Sequence, residues 1–251
     1  MLVVVSPAKK LNMDPINSVD VTEPIFKEDV KSLINIARDL SSNQLKDLMG
    51  ISPKLADLNK ERFLNFGNQE KKPAVFAFAG DTYKGLDIEK LNENDLDWAQ
   101  KHLRILSGLY GLLRPLDLIE PYRLEMGSKL KGDHGNTLYD FWDNKISLNL
   151  NKYAREIGTN VLVNCASNEY FNAIKPNTLE LRVVTPVFME RKDGKEKIIS
   201  FYAKNARGAM ARFIIQNQIT DIENIKNFDL DRYSYNPSIS DESKFIFTRE
   251  S

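Results

Sequence analysis

Three carboxylate side chains lie where they could act as general acids or bases. Asp81 comes directly after the segment 75–80 (VFAFAG), and Glu169 follows the apolar segment 161–164. Glu125 lies between them in the chain, two positions after a basic residue. Positioned carboxylates of this kind are typical of a glycosidase-like or hydrolase-like enzyme, here one acting on a nucleotide or on a nucleobase in DNA. The three are candidate catalytic groups.

Polar and aromatic side chains surround the end of segment 161–164. Asn164 and Ser167 are candidates for orienting a substrate, and Tyr170 for stacking on it. These groups are expected near a ligand, because loops after buried strands carry the functional side chains of many α/β proteins. A structural role is the alternative, since Ser167 can cap a short helix.

The segment 106–115 contains two glycines that bracket a leucine and a tyrosine between apolar runs. Such a turn can expose backbone N–H groups that hold a phosphate. Ser107, Gly108, Tyr110 and Gly111 are therefore candidate phosphate-binding residues, and Arg114 can add a bidentate contact. The alternative is that these glycines only turn the chain and pack it against a neighbour.

A basic helix is predicted near residue 204. Helical spacing sets Lys204, Arg207 and Arg212 opposite an apolar face. Residues 182–212 contain eight Lys or Arg residues against three acids. The three cations are candidate DNA contacts, and a solvated charged face is the alternative.

Two further cations complete the predicted phosphate-binding set. Lys9 follows the apolar run 3–5 closely, as Ser6 does, so it is expected at the carboxyl end of a strand. Arg123 shares a face with Glu125 if the chain is extended there. This pair is either a solvated ion pair or an acid positioned beside a phosphate-binding partner.

The overall charge limits where nucleic acid can bind. The 251 residues contain 35 Lys or Arg and 35 Asp or Glu, so the formal net charge is zero and binding of an acidic polymer through overall charge is excluded. A nucleic-acid surface must be a local patch. His102, His134 and Cys165 are far apart in the sequence, so we predict no metal site and no cofactor.

Targeting signals are also not predicted. The apolar runs are shorter than the roughly 18 to 20 residues of a membrane span. The first residues carry no basic region before their apolar run, unlike a signal peptide. We therefore expect a cytoplasmic protein with no membrane partner.

Buried strands that alternate with helices are predicted to position these side chains. Buried strands are predicted at 3–5, 75–80 and 161–164, and a last short strand at 244–248. Asp193-Gly194 predicts a β-hairpin. Helices are predicted at 26–40, after Ser42, from Ser52 to about 66, at 94–104 with Asn94 as cap, at 137–156, over NEYFNAI and at 204–218. The pattern indicates a mixed α/β (α+β) fold with one main sheet, in a single compact domain over residues 1–251.

The sequence also resembles a known family. The similarity runs from residue 1 to about residue 235 in the same order, and the block 102–127 is long enough to be specific. It is carried by SPAKK, AFAGDTYKGL, HLRILSGLYGLLRPLDLIEPYRLEMG, NCASNEYF and ISFYAKNARGAMARFI. These segments resemble the YaaA family of bacterial peroxide stress response proteins.

This resemblance implies both a fold and a function. The family's fold is described as a cantaloupe fold, with a positively charged cleft and a helix-hairpin-helix element. The family is linked to lowering free intracellular iron under hydrogen peroxide and to binding duplex and branched DNA. Carried onto this chain, the hairpin corresponds to Ser107 to Gly111, with Arg114 just beyond. Leu109 and Tyr110 separate its glycines, where the common pattern has one residue.

Two hypotheses follow for the function. The first is a DNA-binding stress protein whose basic helix and glycine hairpin form one cleft. The second is the enzyme introduced above, with a nucleotide-like small molecule or DNA as its substrate. Direct iron storage is disfavoured by the sparse ligands. Convergence of Lys9, Arg114, Glu125, Asn164, Glu169 and Lys204 on one cleft would favour a catalytic pocket, and dispersal along a groove would favour binding alone.

Overall fold

A mostly parallel sheet forms the centre of the protein, in a computed structural model that describes residues 1–250. Within these residues the strands are β1 (Leu2–Val5), β2 (Lys72–Pro73), β3 (Leu103–Ser107), β4 (Gly111–Leu113), β5 (Leu118–Ile119), β6 (Val161–Cys165), β7 (Arg182–Lys192), β8 (Lys195–Lys197), β9 (Ser234–Tyr235) and β10 (Lys244–Glu250). The main sheet has the order β4-β3-β1-β6-β7-β10-β9, and β8 pairs with β7. Neighbours from β3 to β10 are parallel, whereas β4, β8 and β9 are antiparallel. Strands β2 and β5 form a separate pair.

The strand β1 is at the heart of this sheet. All four of its residues are buried, as expected for a parallel strand covered on both faces. In register, Val5 lies beside Ile105 of β3 and Cys165 of β6. The chain segments that follow β1 and β6 therefore leave the sheet side by side.

Helices pack around the sheet. Within residues 1–250 they are α1 (Lys27–Asp39), α2 (Ser42–Met49), α3 (Pro53–Leu64), α4 (Ala74–Ala77), α5 (Asp81–Leu86), α6 (Glu93–His102), α7 (Leu138–Trp142), α8 (Lys145–Glu156), α9 (Asn168–Phe171) and α10 (Ser200–Gln216), with 3-10 turns at Ile88–Lys90, Ile222–Asn227, Leu230–Arg232 and Pro237–Ile239. The predicted cap is confirmed at Ser52, whose hydroxyl accepts a hydrogen bond from the N–H of Leu55. Ser41 caps α2 in a capping box with Gln44. Every helix within residues 1–250 is too short or too polar to cross a bilayer.

The sequence predictions are confirmed for the strands at 3–5 and 161–164, and the strand at 244–248 is longer than predicted. Asp193 and Gly194 both have positive φ, as the predicted hairpin turn requires. The prediction of a strand at 75–80 is wrong: residues 74–77 form α4, closed by a hydrogen bond from the N–H of Phe78 to the carbonyl of Ala74. Periodicity cannot separate a buried strand from a buried helical turn in so short an apolar run.

Three helix boundaries also differ from prediction. The cap of α6 is Asn92 rather than Asn94, because Asn92 forms a capping box with Asp95. The single helix predicted at 137–156 is two helices, separated at Asp143, whose φ of 37° is not helical. The last long helix starts at Ser200, four residues before the predicted start.

The helices α5 and α10 touch backbone to backbone. A Cβ added at Gly208 would lie 1.8 Å from the carbonyl oxygen of Thr82, and one added at Gly85 would lie 1.9 Å from that of Asn205. Only glycine permits this approach. It fixes the basic side of α10 beside Asp81, at the start of α5.

The helix-hairpin-helix element is not confirmed. The turn between Ser107 and Gly111 joins the antiparallel strands β3 and β4, so strands rather than helices flank it. The mixed α/β fold is confirmed. The cantaloupe description stays a prediction.

Candidate functional site

A polar cleft of about 320 Å³ opens at the carboxyl ends of β1 and β6. Eight of the residues that line it come from the predicted site, among them Lys9, Asp81, Ser167, Glu169 and Tyr170. Glu125, Lys204 and Arg207 line it as well. The structure therefore brings eight predicted residues together from widely separated parts of the chain. We call this cavity the polar cleft.

Two serines connect the strands at the base of the polar cleft. The hydroxyl of Ser6 accepts a hydrogen bond from the N–H of Ser167 at 2.8 Å and lies 3.2 Å from the Ser167 hydroxyl. The phenol of Tyr83 donates to the carbonyl of Ser6 at 3.2 Å. Ser167 precedes α9, but its side chain makes no capping bond to that helix. Ser167 therefore occupies the predicted N-cap position of α9, whereas its hydroxyl faces Ser6.

The carboxylate of Glu125 is held between two cations. Its Oε2 lies 2.8 Å from Nζ of Lys9, and its Oε1 lies 3.1 Å from Nη2 of Arg123. The predicted common face of Arg123 and Glu125 is therefore confirmed. Lys9 is the exposed member of this cluster, with 64% of its side chain accessible against 18% for Glu125. A surface ion pair of this kind is weak, so Lys9 is free to exchange Glu125 for an anionic ligand.

The other two carboxylates differ in their partners. Asp81 lies 3.4 Å from the exposed Lys84 of the same helix. Glu169 accepts a hydrogen bond from the N–H of Gly127 at 3.0 Å, and within residues 1–250 no lysine or arginine pairs with it. Glu169 is thus the carboxylate of the cleft best placed to interact with a ligand.

Arg207 contributes a partly buried cation to the polar cleft. Its Nε donates to the carbonyl of Ala203 at 3.3 Å, and within residues 1–250 it pairs with no carboxylate. Burial lowers the pKa of this guanidinium from its ordinary value. The charge is thus desolvated without a countercharge, which is the environment an anion would stabilise.

Cys165, the neighbour of Arg207, and Tyr170, which lines the polar cleft, are uncharged at neutral pH. Burial raises the pKa of the Cys165 thiol to about 12, so it is a protonated thiol rather than a thiolate. Burial likewise raises the pKa of Tyr170 above its ordinary value, so its ring offers an aromatic surface and a neutral phenol.

A second cavity of about 460 Å³ adjoins the polar cleft. The two cavities share Ser167, Glu169 and Arg207. Strand β7 and the start of α10 supply most of its other walls. We call this cavity the side chamber. Sequence reasoning missed it, because residues of a long strand and a helix carry no local sign of a shared cavity.

The predicted glycine hairpin is buried and lies outside the polar cleft. Ser107, Gly108, Tyr110 and Gly111 have little or no accessible surface. The indole N–H of Trp142 donates to the carbonyl of Gly108 at 3.0 Å, and the N–H of Tyr110 donates to the Ser107 hydroxyl at 2.9 Å. The phosphate-binding prediction is corrected here: these groups pack and turn the chain, which was the alternative interpretation.

Three other predicted residues have protein partners instead of cleft positions. Arg114 makes a two-nitrogen contact with Asp117, at 2.8 and 3.0 Å. Arg212 lies 3.0 Å from Asp87. Asn164 is buried, and its amide oxygen accepts from the N–H of Ala166 at 3.0 Å. These three side chains therefore bond within the protein, outside the polar cleft, and their contact with phosphate or substrate stays a prediction.

Several residues of the site were not selected from sequence. Ser6 was placed correctly after a strand, and its contact with Ser167 could have been anticipated from two parallel strands ending together. Tyr83 is not recognisable from sequence as a support for Ser6, because more than seventy residues separate the two in the chain. Within residues 1–250, His, Cys, Asp and Glu form no group of three or more that could hold a metal ion.

Comparison with known proteins places this chain among close relatives. A family model described as "Peroxide stress protein YaaA" matches residues 1–239. A UPF0246 protein of Ruegeria pomeroyi is 54% identical over 253 residues, covering 99% of this chain and 98% of the relative. UPF0246 proteins of Roseobacter denitrificans and Saccharophagus degradans are 54% and 49% identical, with coverage of 98% or more of both chains.

Proposed function

Because the chain belongs to the YaaA family of peroxide stress proteins, we propose that it acts in the cytoplasm as a DNA-binding protein of the peroxide stress response. The polar cleft is the proposed binding site, and backbone phosphates are the groups it binds. A duplex or a branched DNA presents such phosphates at its surface. The zero net charge agrees with binding at one local site rather than over the whole surface.

The observation that carries this proposal is the unpaired guanidinium of Arg207. The other arginines that were predicted to bind phosphate have carboxylate partners: Asp117 for Arg114, Glu125 for Arg123 and Asp87 for Arg212. Arg207 is partly buried in the cleft without such a partner within residues 1–250. A phosphate can accept two hydrogen bonds from a guanidinium and supply the missing negative charge.

Exposed lysines surround this buried cation. Lys9 and Lys10 come from the loop after β1, and Lys204 lies three residues before Arg207 on α10. Residues three apart on a helix share a face. The exposed lysines can neutralise phosphates that flank the one bound by Arg207, which gives affinity without base recognition.

The test is the salt dependence of DNA binding. Fluorescence anisotropy of a labelled duplex should give a binding constant that falls with salt, and the slope of its logarithm should become shallower by about 2 in Lys204→Ala/Arg207→Ala, at about 0.9 per lost phosphate contact. Lys192→Ala/Lys195→Ala removes the same charge from the exposed hairpin of β7 and β8. This control should keep the wild-type slope. Equal slopes for the two double variants would overturn the assignment of binding to the polar cleft.

The protein lowers free iron, in this proposal, because it binds its ligand and not because it chelates iron. Glu125 is neutralised by Lys9 and Arg123, and Asp81 lies beside Lys84. In cells exposed to peroxide, the double variant at Lys204 and Arg207 should therefore fail to lower free iron. A variant that loses DNA affinity but still lowers free iron would separate the two activities.

A second candidate function is an enzyme acting on a nucleotide or on a nucleobase in DNA. The observation that favours it is Glu169, which lines both cavities and has no cationic partner within residues 1–250. A carboxylate so placed can accept or donate a proton at a bound ligand. Ser167, which lines both cavities too, can help orient that ligand.

Product analysis tests this second candidate. The protein is incubated with nucleotides and with damaged or modified DNA, and the mixtures are analysed by mass spectrometry. A new species formed by the wild type and not by Glu169→Gln is the expected result. Asp57→Asn, an exposed carboxylate on α3, is the matched control. Formation of the same species by Glu169→Gln would remove Glu169 from the mechanism, and no new species with any substrate would contradict the enzyme.

A further inference from the structure

The polar cleft and the side chamber together have the form of a site with two parts. They meet at Ser167, Glu169 and Arg207. A ligand that places its anion on Arg207 can therefore extend in either direction from that point. The polar cleft continues toward Lys9 and Lys204, whereas the side chamber leads away from these cations.

The walls of the side chamber are chemically different from those of the polar cleft. Val187 and Ile198 provide accessible apolar surface, and no lysine lines this chamber within residues 1–250. Thr185 and Asn168 provide hydroxyl and amide groups at its edge. A cavity with apolar walls and a few hydrogen-bonding groups suits a flat, uncharged ring with polar edges.

We infer that the side chamber holds the base of a single nucleotide whose phosphate lies on Arg207. This inference rests on the proposed function, since it takes the phosphate site as given and adds the part of the ligand next to it. The edge of a nucleobase supplies donors and acceptors for the exposed Asn168 amide and for the Thr185 hydroxyl, which already accepts from the Asn164 amide at 3.4 Å, whereas an aliphatic group can bond to neither. A base paired within a duplex cannot enter the chamber, so the nucleotide is either free or unstacked from a strand.

The helix α10 supplies the boundary between the two parts. Ser200, Ala203 and Arg207 are spaced three and four residues apart, so they lie on one face of the helix, and all three line the side chamber. A larger side chain at Ala203 would occupy the chamber without touching the polar cleft, which Ala203 does not line. This spacing allows the base and the phosphate to be tested separately.

The first experiment measures the contribution of the base with small ligands. Calorimetry compares deoxyadenosine monophosphate with 2-deoxyribose 5-phosphate, which carries the same phosphate and sugar without a base. We expect the nucleotide to bind about tenfold more tightly, the scale of stacking one base on a protein surface. Equal affinity of the two ligands would overturn the inference while leaving the phosphate site in place.

The second experiment fills the chamber. Ala203→Leu should weaken binding of the nucleotide until its affinity is nearly equal to that of 2-deoxyribose 5-phosphate. The affinity for 2-deoxyribose 5-phosphate itself should not change. Ala203→Ser, which keeps the side chain small, should behave as wild type. Ser200→Phe, a change at an exposed residue on the open side of the chamber, gives a second blocking variant if Ala203→Leu does not fold. A preference retained in every folded blocking variant would contradict the base site.

The third experiment distinguishes the sources of the nucleotide. A labelled duplex with one unpaired adenine is compared with the fully paired duplex of the same length, in competition with the free nucleotide. Tighter binding of the unpaired duplex, abolished by blocking the chamber, identifies a nucleotide within DNA. If the nucleotide binds more tightly than 2-deoxyribose 5-phosphate but the unpaired adenine does not strengthen binding of the duplex, the ligand is a free nucleotide. If Arg207→Ala leaves every affinity unchanged, the proposed function itself fails, and this outcome differs from a failure of the base site alone.

Discussion

Arg207 and Arg212 are five residues apart on the same helix, yet the structure gives them different roles. Arg212 lies 3.0 Å from the carboxylate of Asp87, and only 13% of its side chain is accessible. Arg207 donates to a backbone carbonyl and pairs with no carboxylate within residues 1–250. Both were predicted as DNA contacts from their shared polar face. The difference shows that a cation is available to a ligand only where the neighbouring elements supply no carboxylate to pair with it.

The helix α5 produces this difference. Its last turn is followed by Asp87, whose left-handed φ of 46° turns the chain back and brings the carboxylate to Arg212. At the other end of α5, Asp81 pairs with Lys84 and leaves Arg207 without a carboxylate. One helix therefore neutralises Arg212 and leaves Arg207 unpaired.

The largest expected effect is that of separating α5 from α10. Gly208→Ala places a methyl group 1.8 Å from the carbonyl oxygen of Thr82, a backbone atom that cannot rotate away. We expect the free energy of unfolding to fall by about 3 kcal/mol or more, measured by urea denaturation. Lys204→Ala, at an exposed position of the same helix, should change it by less than about 0.5 kcal/mol. A stable Gly208→Ala protein with both arginines in place would mean that the close approach is not required.

The second effect concerns binding at Arg207. Arg207→Ala should weaken DNA binding by about tenfold or more, because a hydrogen bond to a charged group contributes about 1.5 to 3 kcal/mol. Arg207→Lys should recover only part of the loss, since an ammonium group cannot make the two parallel bonds of a guanidinium. Neither variant should lower the free energy of unfolding by more than about 0.5 kcal/mol. A large loss of stability would place Arg207 in the same structural class as Arg212.

The third effect concerns stability at Arg212. Arg212→Ala leaves Asp87 without its partner from α10, so the free energy of unfolding should fall by about 1 to 2 kcal/mol. DNA affinity at fixed salt should stay within about twofold of wild type, because this cation does not line the polar cleft. Circular dichroism with urea gives the first quantity and anisotropy the second. Weaker DNA binding without a loss of stability would reverse the roles assigned to the two arginines.

The smallest effect is the pH dependence that Asp87 contributes. A hydrogen bond from Lys90, together with the charges of Lys90 and Arg212, holds the pKa of Asp87 below its ordinary value of 3.8. A carboxylate with a lowered pKa stabilises the fold above its unfolded pKa and loses this contribution as the pH falls through the folded value.

Asp87→Asn, which tolerates the left-handed backbone, should therefore be less stable than wild type at pH 7. The difference in the free energy of unfolding should shrink as the pH is lowered from 5 toward 2, measured by urea denaturation at each pH. Asp57→Asn, at an exposed position, serves as the control and should show little difference across this range. If the difference in the free energy of unfolding between wild type and Asp87→Asn does not change with pH, the charge of the Asp87 carboxylate does not stabilise the fold.

The fold was predictable where local patterns are unambiguous. Val3 to Val5 form a strand because a continuous β-branched run suits a sheet covered on both faces. The apolar run 75–79 has no such signature, and Ala74–Ala77 is helical because the surrounding structure accommodates one turn there. Asn92 and Asn94 are equivalent as caps in sequence, because each has an aspartate three residues later, and only the structure shows that Asn92 and Asp95 form the capping box.

The site was predictable in part. Ser167, Glu169 and Lys9 lie in the polar cleft because residues after parallel strands meet at one edge of the sheet. The glycine hairpin was assigned to phosphate binding because its composition suits an exposed turn as well as a buried one. Its burial against Trp142 depends on a helix more than thirty residues away in the chain.

The sequence by itself determined which residues can carry charge, which segments are buried, and that the chain resembles one family. Local composition and periodicity are sufficient for these properties, because they depend on neighbours within a few turns or strands. Only the tertiary structure decided that Arg207 is unpaired, that Arg114 and Arg212 are neutralised, and that a side chamber lies beside Glu169. The availability of a charge depends on its distance to groups from other elements, and the packing of those elements sets that distance.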